Sequence, residues 1–150
     1  MSSSPARPRM TGIGRVLVIV YAIMALAATG RSFVQIVERF DEAPLAYTLS
    51  AISALVYILA TLALIFSGSR TWYRIAWITI LFELAGVLIV GTLSLVLREL
   101  FAHPTVWSWY GVGYVFVPLV LPFFGLWYLI THRPVEPSEA TDAAAAAVAP

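Results

Sequence analysis

Apolar positions dominate four long runs of this chain, and short polar breaks separate them. The first run, Val16 to Ala28, is too short for a membrane span, which needs roughly 20 residues. It reaches that length if the helix continues through Gly30, Arg31 and Ser32 toward Ile36, so the pattern predicts a span over about residues 13–36. Continued in this way, Arg31, Gln35, Glu38 and Glu42 fall on one side of the helix, and Phe33, Ile36, Val37 and Phe40 on the other. Asp41, Glu42 and Pro44 are helix-start residues, and the second run predicts a span over 45–66. The turn Ser67-Gly68-Ser69-Arg70 leads to a third span over 72–97. A longer connector, RELFAHPTVWSWYG at 98–111, precedes a fourth over 112–131. The expected fold is all-α, a four-helix transmembrane bundle in one domain over 13–133. Residues 1–12 and the Pro/Ala-rich tail 134–150 have the composition of disordered segments.

The first run has a rival reading. Arg7, Arg9 and Arg15 resemble the basic region of a signal peptide, Val16 to Met24 its apolar core, and Ala25-Leu26-Ala27 its cleavage box. The apolar character resuming after Arg31 favours an uncleaved anchor.

Composition strengthens the membrane assignment. Of 150 residues, 61% are hydrophobic and 11% charged, whereas soluble domains carry about a quarter charged residues. The absence of cysteine excludes a disulfide framework and thiol redox chemistry, and with them the disulfide-forming four-helix membrane enzymes. The basic residues are all Arg, which suggests a high-GC bacterial genome. A net charge of +1, with no basic patch, gives no footing for nucleic acid. Arg7, Arg9, Arg15, Arg70, Arg74 and Arg133 fall on one side of the predicted membrane, and Arg31, Arg39 and Arg98 on the other. The positive-inside rule then predicts a multi-pass protein of the inner (plasma) membrane with both termini cytoplasmic. Trp107, Trp109 and Tyr110 are expected at the outer interface, and Trp72 and Tyr73 at the inner one.

Glu83, in TILFELAGVLIV (79–90), is the exception to the apolar pattern. It lies roughly 13 Å beyond Arg74 at 1.5 Å per residue, inside a hydrocarbon core about 30 Å thick. A carboxylate at that depth costs at least about 2.5 kcal/mol on insertion scales. Ala76, Thr79, Glu83 and Gly86 share a small or polar face, while Leu81, Leu84, Leu88 and Leu95 suit lipid, so Glu83 is expected to face the bundle, neutral or hydrogen-bonded. At similar depth the second span offers Thr61 and Tyr57, the latter on the face Ala46, Ser50, Ser53, Tyr57, Ala60. The fourth offers Tyr114, Pro118 and Pro122. Each proline leaves a carbonyl without its helix donor and predicts a bend. The candidate intramembrane polar site is therefore Glu83 with Thr79, Tyr57, Thr61 and Tyr114. It can serve as a packing clasp, or as a protonatable or ligand-binding group. The spacing Ala46, Ser50, Ala54, and more loosely Gly86 and Gly91, lets helix backbones approach, within the chain or in a homo-oligomer.

No catalytic fingerprint is present. His103 and His132 fall on opposite sides of the membrane, and the outer-rim charges Arg31, Glu38, Asp41 and Glu42 read as a solvated helix end. No metal site and no cofactor are expected. Over TVWSWYGVGYVFVPLVLPFFGLWYL (105–129), the T-V-W-S, G-x-G-Y and P-L-V-L-P pieces resemble small four-span integral membrane proteins of unknown function from high-GC actinobacteria. The resemblance implies membrane location and four helices, and brings no activity or site residues. The expected function is a non-enzymatic accessory or scaffold component of a membrane or envelope complex, with the bilayer and a membrane-protein partner or second copy as its surroundings. The alternative is a small transporter or ligand-binding membrane protein using Glu83.

Overall fold

A computed structural model describes residues 12–134 and residue 146. The expectations for residues 1–11 and for the rest of the tail lie outside the described residues. All regular structure among the described residues is helical: α1 (Gly12–Arg39), α2 (Pro44–Ile65), α3 (Arg70–Val96) and α4 (Val117–Thr131), with short 3-10 turns at Phe40–Glu42 and Ser108–Tyr114. Three helices are long and apolar enough to cross a membrane, or four if the Ser108–Tyr114 turn and α4 count as one bent span. The chain is an all-α membrane protein.

Local sequence explains the boundaries. Pro44 opens α2, where a missing N–H costs nothing. Ser69 caps α3, its side chain accepting from the Trp72 N–H, a usual N-terminal device. α1 packs most extensively on α2. The predicted inner face of α2 is buried along its length at Ala46, Ser50, Ser53, Tyr57 and Ala60. Its small side chains pack within the chain, and Ser50 and Ser53 turn their hydroxyls back to the Ala46 and Ser50 carbonyls. The outward leucines and isoleucines of α1, α2 and α3 remain exposed, as lipid-facing positions do.

The fourth span departs from expectation. Helix begins at Val117, five residues later than predicted, and the chain bends by 96° between the Ser108–Tyr114 turn and α4. Trp109, Tyr110 and Gly111 are left-handed, as are Val115 and Phe116. An added Cβ at Gly111 would come within 2.5 Å of the Pro118 ring, so turn and helix start pack too closely for a larger residue. Pro118 therefore sits in the first turn of α4, where it pre-organises the helix and does not kink it. Pro122 is the only proline inside a described helix interior. At 15 residues, α4 is roughly 22 Å long, shorter than the hydrocarbon core.

The connector folds inward. Phe101, Thr105, Val106, Trp107 and Ser108 are buried. A compact knot holds them: the Thr105 N–H donates to Ser108 Oγ at 2.8 Å, and the Trp107 and Ser108 N–H groups donate to Thr105 Oγ1. Trp107 is thus a core residue at 2% exposure, not the interfacial anchor its type suggested. Trp109, at 41% exposure, keeps an amphipathic position.

Candidate functional site

Glu83 is completely buried and faces the other helices. The Tyr21 hydroxyl, on α1, donates to Glu83 Oε2 at 2.8 Å. The hydroxyl of Tyr57, on α2, stands beside the same carboxyl group, although only the Tyr21 contact meets hydrogen-bond geometry and Glu83 Oε1 has no partner. Trp107 closes the group from the connector by donating its indole N–H to the Tyr57 hydroxyl at 3.2 Å. The Tyr21 and Tyr57 rings tilt together with centroids 6.3 Å apart. Tyr21 and Tyr57 are completely buried as well.

Two glycines make this closure possible. A Cβ on Gly86, one turn beyond Glu83, would meet the Trp107 ring at 2.6 Å, so the bare backbone of α3 is the seat of that indole. On α4, a Cβ at Gly125 would approach Ile80 at 2.9 Å and the Tyr21 hydroxyl at 3.2 Å. Gly91 similarly receives the Tyr110 ring. The small positions of α3 thus admit aromatic rings from the connector, where the sequence suggested helix backbones approaching each other.

The predicted site residues separate. Tyr57 joins Glu83. Thr79 is buried, but its hydroxyl is used within α3, donating to the Ile75 carbonyl at 2.7 Å. Thr61 likewise donates to the Tyr57 carbonyl on its own helix. Such back-bonding satisfies a hydroxyl locally and leaves little for another helix. Tyr114 is half-buried against the common core and has no hydrogen bond to Glu83. Pro118 and Pro122 are buried and shape α4. The sequence reading missed Tyr21 and Trp107. Tyr21 lies level with the acid within an apolar run, and a phenol there could have been tested as a donor by the depth comparison applied to Tyr57.

At the connector end Glu38, Asp41 and Glu42 are exposed, as a solvated helix end requires, and only Arg31 turns inward. Arg31 Nη2 donates to the Pro104 carbonyl at 2.7 Å and so ties α1 to the connector. Arg31 Nε, Ser32 Oγ and Gln35 Oε1 are buried without partners. His103 stands 3.9 Å from Glu42, both about half exposed, with its ring edge-on to Tyr47. A cavity of about 240 Å³ opens here beside Glu42, Glu99 and His103. It does not reach Glu83, nor does the shallow groove at Phe123, Phe124 and Trp127 on α4. No group of three potential metal ligands occurs among the described residues.

The fold and site define a small helical membrane protein with one enclosed acid among the described residues. No protein-family model, curated protein or solved structure matches the chain.

Proposed function

We propose that this protein is a non-enzymatic accessory or scaffold component of a membrane or cell-envelope complex, and that Glu83 is its internal clasp. The observation that carries this reading is the enclosure of Glu83: it is completely buried, and α1, α2 and the connector each contribute a side chain around it. A carboxyl group held in this way ties helices together without presenting chemistry to a substrate. Outward function then falls to the exposed faces and to the connector.

The arginine distribution supports an inner-membrane orientation with both termini cytoplasmic, and hence a connector outside the cell. The chain has no cysteine, so single cysteines introduced at Ser69 and Ala102 should react with a membrane-impermeant maleimide from opposite sides. Labelling of both from one side would overturn the orientation. The first helix is an uncleaved anchor in this reading. Tyr21 lies upstream of the Ala25-Leu26-Ala27 box, so cleavage there would remove the donor to Glu83.

A second reading, a ligand-binding or transport protein using Glu83, is favoured by one observation: Glu83 Oε1 is buried and unpartnered. Glu83→Gln separates the two. Gln keeps the acceptor oxygen for Tyr21, so as a clasp it leaves expression and native complex size intact and changes stability only mildly. In a ligand site that uses the negative charge, the same substitution abolishes binding or movement of the ligand in a protein that still folds. If wild-type protein in mild detergent or nanodiscs runs only as a lone monomer at native mass, the scaffold reading fails.

A further inference from the structure

The link into α4 is the most contorted backbone among the described residues. Trp109, Tyr110, Val115 and Phe116 all hold φ between 50° and 58°, alongside Gly111 at 80°. Left-handed backbone is costly for residues with a Cβ and most of all for a β-branched one. Such strain persists only where the surroundings over-determine it. Here the surroundings are contacts between the connector and α3: the Trp109 N–H donates to Ser94 Oγ at 2.7 Å, its indole N–H donates to the Ser94 carbonyl at 3.1 Å, and Tyr110 and Thr92 hydroxyls pair at 3.0 Å. The Trp107 indole, seated on Gly86, bonds Tyr57 beside Glu83.

The same residues encode a second arrangement. Residues 112–131 form an apolar run of helical composition, which as one straight helix is roughly 30 Å long, enough to span the hydrocarbon. The bent form leaves α4 too short. Straightening returns Val115 and Phe116 to right-handed geometry, and the compensation for losing the α3 contacts is that strain relief plus the added helical bonds. Pro118 then leaves the Tyr114 carbonyl without its helix donor, which membrane helices tolerate. Val115 is 84% exposed and so has little packing to lose on straightening, while Phe116 and Val112, both near 45% exposed, give up part of theirs.

We propose that residues 105–116 form a hinged door on the bundle: closed, Trp107 plugs the route to Glu83; open, the left-handed link winds into α4 and lifts Trp107 off Gly86, exposing the unpartnered Glu83 oxygen at the connector end. This goes beyond the clasp reading, and its test reads the connector, so either can fail while the other stands.

The test uses the full chain in nanodiscs with Val106→Cys, a buried, near-isosteric probe on the door, and Ala102→Cys as an exposed reference. The door predicts that Val106→Cys reacts with a water-soluble maleimide, more slowly than the reference. Adding Val115→Gly and Phe116→Gly removes the strain from the closed form and disfavours the helix of the open one, so labelling slows by about tenfold or more. Adding Gly111→Ala, which strains the closed form, speeds it. Circular dichroism confirms that each variant keeps its helical content. A rate unchanged within about twofold by both backbone changes, or a Val106→Cys thiol inert in every background, overturns the proposal.

Discussion

One residue sets the terms for the rest. A carboxyl group in the apolar middle of a helix is expensive unless something bonds it, and Tyr21 supplies that bond. Depth and helix face were enough to read Glu83 and Tyr57 from the sequence, because an acid in an apolar run has to turn toward other helices and Tyr57 lies on the small face of its own. Tyr21 was not legible in the same way. Its ring passes for an apolar core residue, and only its hydroxyl distinguishes it. Thr79 and Thr61 were over-read: each hydroxyl has its own helix carbonyl within reach, so level placement did not mean contact. At this scale the expectation is that Tyr21→Phe destabilises the fold by about 1–3 kcal/mol, because it strands a second buried carboxyl oxygen. Unfolding in detergent measures it. A neutral result would mean that Glu83 is satisfied from elsewhere.

At the scale of elements, the first three helices follow from hydrophobic run length and from the breaks at Asp41–Pro44 and Ser67–Arg70. The fourth does not. Periodicity cannot distinguish a straight helix over 112–131 from a turn followed by a short helix, because every residue in question is apolar. Tertiary contacts decide it, through Ser94, Gly91 and Gly86 holding the connector down. Trp107 was misplaced for a related reason: tryptophans near helix ends favour the membrane interface, and the notch that admits this one is made by a glycine on another helix. The glycines should therefore respond unequally. Gly30 lies within α1 with open space around it, so Gly30→Ala is expected to stabilise by up to about 1 kcal/mol. Gly86→Ala drives a methyl group into the Trp107 ring and should destabilise despite its better helix propensity. Melting temperatures in one detergent compare the two, and equal shifts would contradict the seat assigned to Trp107.

Over the whole molecule, the protein is a helical bundle whose outer surface is apolar and whose single mid-depth acid is turned inward. The apolar exterior is stable only in lipid or detergent, so the polar contacts inside carry more of the specificity of packing than they would in water. The tie from α1 to α3 is made by Tyr21 and Glu83, whose positions in the chain are 62 residues apart. The most direct test is a double-mutant cycle with Tyr21→Phe and Glu83→Leu, read by unfolding in detergent. The account predicts non-additivity of about 1 kcal/mol or more, with the double variant losing less than the two single losses combined, because removing both partners leaves neither one stranded at that contact. Strictly additive losses would show that the two side chains do not meet in the folded protein, and the clasp would have to be abandoned.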